Sequence, residues 1–198
     1  EQTSVKPFTA SDVAAPVEPY ALSKLEAEQA LGALAAETGM EIVIVRPPLI
    51  YGPGVKANFL SLFRAVQRGW PLPLGGVRNR RSLVALDNLV DLLVTCMNHP
   101  AAANQVLLVS DGEPMSTPEL LRGIGKALGR PAHLVAVPPG WLKAGARLVR
   151  RPAMYERLCG SLEVDDAATR QLLHWRPPVS VDQALAATAR WFLGERRL

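Results

Sequence analysis

A phenol and an ammonium held side by side can move a proton. Tyr20 and Lys24 stand four residues apart in EPYALSKLEAEQAL, residues 18–31. In a helix that spacing puts both side chains on one face, and a fixed cation beside a phenol favours the phenolate. Such a phenol can give and take a proton at a carbon-bound hydroxyl or carbonyl. The same spacing also suits a solvated lysine beside a half-buried tyrosine, so the pair needs company before it means an active site.

Few other residues offer chemistry. Cys96 and Cys159 lie far apart in apolar sequence with no redox or metal spacing, which reads as two buried thiols. His99, His133 and His174 are scattered, and no metal site is expected. The formal charge of +4 hints at an anionic partner. Nucleic acid would want a basic stripe or a known module, and neither appears, so no nucleic-acid partner is expected. The dense cluster is RNRR, Arg78 to Arg81, which is either solvated loop charge or a clamp for a phosphate or diphosphate.

The elements that must position these groups alternate in type. A helix is expected from about Tyr20 to Glu37, with Leu22, Leu25, Ala30, Leu31 and Leu34 on a buried face and Gly39 stopping it. EIVIVR, 41–46, reads as a strand buried on both sides in a parallel sheet. Two prolines cannot extend that ladder, so RPPLIYGPG, 46–54, should turn out at the strand's C-terminal end. In open α/β sheets ligands sit at that edge. A helix over 58–68, an extended 69–76 and a strand at 82–86 follow, then a helix capped by Asp87 and running to about Asn98. Next come a strand over 105–110, a helix capped by Thr117 and running to Leu128, a strand at 133–138 and an amphipathic helix over 140–151, which packs on its own domain or, as the alternative, meets a partner or membrane surface. Helices at 165–173 and 181–197 close the chain.

Length and composition suit one or two globular domains: 198 residues, 48% hydrophobic and 20% charged. No apolar run approaches the ~20 residues of a membrane span. With no leader of the signal-peptide kind, the cytoplasm is the default compartment. EQTSVKPFTASD reads as an internal loop, which makes this chain an expected piece of something longer.

Four blocks in register carry a resemblance: PYALSK with LEAE behind it, RPPLIYGPG after a strand, NFLSLF leading into PLPLGG, and RRSLVALDNLVDLL. Together with the late W-x-P turn they resemble the C-terminal part of an extended short-chain dehydrogenase/reductase. The branch is the NAD-dependent epimerase/dehydratase group that acts on nucleotide sugars. The resemblance implies an α/β fold: the C-terminal part of a Rossmann-type parallel sheet plus a smaller α/β substrate-binding domain. Residues 1–51 and 81–110 would belong to the dinucleotide-binding domain, and 52–80 and 111–198 to the substrate domain. The glycine-rich half that receives the pyrophosphate would precede this chain, a shortfall of roughly 100 or more residues.

It further implies roles. Tyr20 would be the acid/base, and Lys24 would bond the nicotinamide ribose. Pro47, Pro48 and Ile50 would line the nicotinamide. Leu49 would face the sugar, at a position where many sugar epimerases carry asparagine; leucine there is closer to enzymes that epimerise or reduce 4-keto nucleotide sugars. Asn58 and Phe59 would meet the nucleotide, Leu72 and Leu74 would flank its base, and Arg81 would pair with the diphosphate. The implied cofactor is NAD, with NADP open. The implied partners are a UDP-linked sugar and a second copy of the chain. The implied activity is 4-epimerisation, with reduction or dehydration of a 4-keto nucleotide sugar as the alternative. A regulatory member that binds NAD(P) without turnover is the reading from another class.

Overall fold

Pro19 opens the first helix, α1 (Pro19–Thr38), and Gly39 closes it in the left-handed conformation at φ 72°. The computed structural model describes residues 6–194. None of the residues of α1 is buried, so its apolar stripe faces outward, with Leu22, Leu31 and Leu34 exposed. The expected buried face is therefore corrected. No described element covers that side, and the helix is held at its other flank by an ion pair. Arg46 closes β1 (Ile44–Arg46) and donates through Nε to both Glu28 carboxylate oxygens at 3.1 Å.

β1 is shorter than EIVIVR and only half-buried, a second correction. Its described partner is β4 (Val106–Leu108), parallel, with Ile44 opposite Val106, and this pairing is its sole one among the described strands. As expected, the chain leaves this two-stranded sheet at the two prolines. After Pro48 it resumes as β2 (Leu49–Tyr51), paired in parallel with β3 (Leu83–Ala85), Leu49 opposite Leu83. Prolines interrupt a ladder only at their own nitrogens, and LIY is free to pair beyond them.

β3 separates two cores by the two-residue period of its side chains. Leu83 and Ala85 enter a core with Tyr51, with Phe59, Phe63 and Val66 of α2 (Ala57–Arg68), and with helices α4 (Thr117–Ala127) and α8 (Val181–Gly194). Val84 points the other way, into a core of Leu89, Leu92 and Cys96 from α3 (Leu86–Asn98), with Leu107 and Val109. Leu173, which ends α7 (Ala167–Leu173), and Trp175 close that second core, and Val43 and Val45 pack against it.

Helix starts move by a residue or more. Asp87 is not a cap but lies in the first turn of α3, whose N-cap is Ala85. The cap of α4 is Ser116, in a reciprocal box with Glu119, and Thr117 is buried inside the helix. The helix expected over 140–151 is α5 (Pro139–Leu148), and a further, unexpected helix, α6 (Pro152–Cys159), starts at Pro152, which suits the first turn. HLVAVP makes a single bridge, Leu134 to Leu72, rather than a strand. Its backbone nonetheless runs so close to 72–76 that a Cβ on Gly76 would lie 2.7 Å from the Val137 oxygen. The end of the expected 181–197 helix lies outside the described residues. Among those residues no helix is long and apolar enough to cross a membrane, and no cluster of metal-binding side chains occurs.

Candidate active site

The antiparallel run of α1 against β1 decides where Tyr20 and Lys24 lie. Gly32, Ala35 and Ala36 flank a cavity of about 310 Å³ opposite Ile42 and Ile44, and one turn earlier Glu28 grips Arg46. Tyr20, Lys24 and Glu28 share one face at four-residue steps. At 1.5 Å per residue Lys24 lies about 6 Å past Glu28 and Tyr20 about 12 Å. The antiparallel run therefore carries the pair beyond Arg46, past the C-terminal end of β1. The side chains do not diverge: Lys24 Nζ is 5.6 Å from the Tyr20 ring centroid. Tyr20 is 73% exposed, open to an incoming group.

Leu49 and Ile50 are exposed on the same strand end. Tyr51, by contrast, is buried and aims its hydroxyl into a polar knot. It donates to Asp111 Oδ2 at 2.8 Å, while Asp111 Oδ1 accepts from the Ala85 N–H at 2.9 Å and from Asn88 Nδ2 at 2.7 Å. Asn88 continues to the main chain of Val179 in both directions. Burial first, and then the negative charge and hydrogen bond of Asp111, push the Tyr51 phenol far above its ordinary range. Tyr51 therefore stays protonated and serves as a brace under the exposed Leu49 and Ile50.

The substrate-side residues divide. Asn58 is exposed at the start of α2 and Leu72 is half-buried. The Phe59 side chain is 2% exposed and stacks on Tyr51 at 5.3 Å, and Leu74 is buried in the same core. RNRR is no simple solvated loop. Asn79 is buried and holds Thr117 and the Gly160 carbonyl, while Arg80 makes a two-pronged pair with Glu163 at 2.8 and 2.9 Å. That bond from Arg80 holds the Glu163 carboxyl below its usual range. Arg81 Nη1 donates to the carbonyls of Arg157 at 2.8 Å and Gly160 at 3.1 Å, and desolvation lowers its pKa. Nη2 and Nε keep three further donors. Cys96 is buried and Cys159 partly so; burial raises both thiols.

The sequence profile of the NAD dependent epimerase/dehydratase family matches residues 1–109. The chain belongs to the NAD-dependent epimerase/dehydratase family. A relative named UDP-glucose 4-epimerase, from Vibrio cholerae, is 48% identical over 188 residues, covering 94% of this chain. The chain spans 57% of that relative's length. Among solved structures, UDP-glucose 4-epimerase from Thermotoga maritima with UDP-glucose superposes with TM-score 0.75 at 21% identity, over 99% of this chain and 60% of that one. UDP-glucuronic acid 4-epimerase from Bacillus cereus in complex with NAD gives 0.75 at 17% identity, over 98% and 58%. Those two likenesses establish the Rossmann-type α/β fold.

NAD is the cofactor of this family, and the exposed strand end fits part of such a group. A phenol beside an ammonium suits a ribose, and the exposed apolar Pro47 and Ile50 suit a flat ring. The site residue that sequence reasoning missed is Asp111, which sits sixty residues from Tyr51 and carries no motif of its own.

Proposed function

We propose that the protein in full is a nucleotide-sugar 4-epimerase of the UDP-hexose type. The observation that carries this is the Tyr20–Lys24 pair, side by side and open at the C-terminal end of a parallel strand. The printed activity of the Vibrio relative supports the substrate class. Tyr20 takes the proton of the sugar C4 hydroxyl and later returns it. Lys24 holds the phenolate with its charge and bonds the ribose hydroxyls. NAD, when bound, supplies the acceptor and donor of the C4 hydride. Pro47, Pro48 and Ile50 offer the face on which a nicotinamide rests, and Leu49 borders the sugar. Asn58 and Leu72 face the nucleotide with their side chains. Phe59 and Leu74, whose side chains belong to the core, reach it through main chain. Arg81 meets the diphosphate with Nη2 and Nε, its Nη1 being spent on two carbonyls. The exposed leucines of α1 favour a second copy of the chain as partner, and the cytoplasm follows from the substrate class.

Leu49, exposed where many sugar epimerases carry asparagine, favours a second reading as an NAD(P)H-dependent reductase or dehydratase of a 4-keto nucleotide sugar. Stoichiometry separates the two: an epimerase recycles its cofactor, whereas a reductase consumes one equivalent per turnover. A purely regulatory binder has no use for a phenol beside an ammonium. The test is Tyr20→Phe in the full-length protein. Turnover should fall about 100-fold or more while UDP binding by calorimetry stays within twofold of wild type. Unchanged turnover would remove Tyr20 from the acid/base role.

A further inference from the structure

The α5–α6 hairpin exposes what a soluble surface normally hides. Of its helical residues only Ala146 is buried, while Leu142 and Leu158 rest partly on the first core. Trp141 is 77% exposed, Leu148 86% and Val149 60%, with Met154 exposed beside them. Leu148 and Val149 form the apex of the turn between the helices.

Cations surround that apex. Lys143, Arg147, Arg150, Arg151 and Arg157 face a single carboxylate, Glu156, between Pro139 and Cys159. The stretch thus holds the whole +4 of the chain, and the remainder balances to zero. The turn's backbone is also internally satisfied. The Val149 N–H donates to Gly145, that of Arg150 to Arg147 and that of Arg151 to Ala146. A loop with its amides paired can enter a medium poor in water without orphaning donors.

We propose that this hairpin is a peripheral docking surface for an anionic phospholipid bilayer. Leu148 and Val149 enter the headgroup layer, Trp141 lies at the interface, and the five cations bind lipid phosphates. An aliphatic tip within a basic collar fits a soft, negatively charged phase. A protein partner would instead be met by a flat or concave apolar face. Stacking aromatics, which single-stranded nucleic acid would need, are limited to the exposed Trp141 and the half-buried Tyr155. The proposal stands apart from the reaction assigned above: Arg157 touches that site only through its main-chain carbonyl, which accepts from Arg81.

Co-sedimentation of the full-length protein with two kinds of vesicle tests it: phosphatidylcholine alone, and phosphatidylcholine mixed with phosphatidylglycerol. Binding should require phosphatidylglycerol and weaken as salt rises. Arg147→Gln with Arg151→Gln should reduce it roughly tenfold or more, and Leu148→Ser with Val149→Ser should abolish it. Both double variants should keep wild-type melting and turnover on soluble substrate, since all four side chains are exposed. The tryptophan emission of wild type, but not of Trp141→Phe, should shift to the blue on binding. Absence of binding, equal binding to both vesicles, or binding that survives the Leu148/Val149 changes overturns the proposal. So does a change of oligomeric state in either double variant without vesicle binding, which would mark a protein interface instead.

Discussion

Replacing Asp111 by alanine should be the most costly single change near the site. Its carboxyl serves three donors at once: the Tyr51 hydroxyl, the Asn88 amide and the Ala85 N–H. Tyr51 is buried and its hydroxyl has Asp111 as its acceptor, so truncation orphans it outright. The Ala85 N–H loses its acceptor too, whereas Asn88 keeps the Val179 carbonyl. A buried polar group left unsatisfied costs about 1–3 kcal/mol. Two full orphans and one half-satisfied amide therefore put the total near 4 kcal/mol, out of a domain stability of roughly 5–15 kcal/mol. Tyr51→Phe alone removes one bond to a charged acceptor, about 1.5–3 kcal/mol. In the double variant the phenyl ring has no hydroxyl to orphan, so it should be no less stable than Asp111→Ala alone. Urea unfolding of the four proteins gives the coupling free energy, expected at about 1.5–3 kcal/mol. Additive losses, or an Asp111→Ala cost below about 1 kcal/mol, would refute the brace.

Three further outcomes are expected. The raised Tyr51 pKa stabilises the fold fully below the unfolded value near 10, and that contribution falls away above it by about 1.4 kcal/mol per pH unit; urea titrations between pH 9 and pH 12, ranges chosen around that value of about 10, should show the slope in wild type and not in Tyr51→Phe. Gly76→Ala, which drives a methyl to 2.7 Å from the Val137 carbonyl oxygen, should lower stability by about 1–3 kcal/mol in a melting assay. Arg81→Ala should weaken UDP binding of the full-length protein by roughly ten- to a hundredfold, the worth of a charge-assisted bond; equal affinities by calorimetry would leave Arg81 as a clasp on the end of α6.

What could be read from the chain depended on how local the cause was. Helix α1 announces itself by Pro19, its run of good helix formers and Gly39, all within its own span. The Tyr20–Lys24 pair was legible for the same reason, since helix geometry alone brings the two together. The leucine stripe of α1 was equally visible, but a stripe does not say what covers it, and here no described element does. Caps were misplaced by two residues at α3, where Ala85 rather than Asp87 holds the position, and by one at α4, where Ser116 and Thr117 are both good cap types and the box with Glu119 selects Ser116. Asp111 was invisible as a partner of Tyr51, for nothing in either neighbourhood predicts a contact across sixty residues. Asn79 hid inside an arginine cluster whose charges suggested a solvated loop, although it anchors α4 and the end of α6.

The pairing of β1 with β4 has a consequence for how the protein is made. Ile44 must wait for Val106, sixty-two positions later. At roughly 5–20 residues per second of synthesis, the edge of β1 that takes β4 is open for about 3–12 s before β4 leaves the ribosome. Ile42 to Val45 is β-branched throughout and carries no charge, the composition most prone to pairing with a stranger. Slow translation over 47–105 lengthens that interval, so recoding those codons for speed should raise the soluble yield.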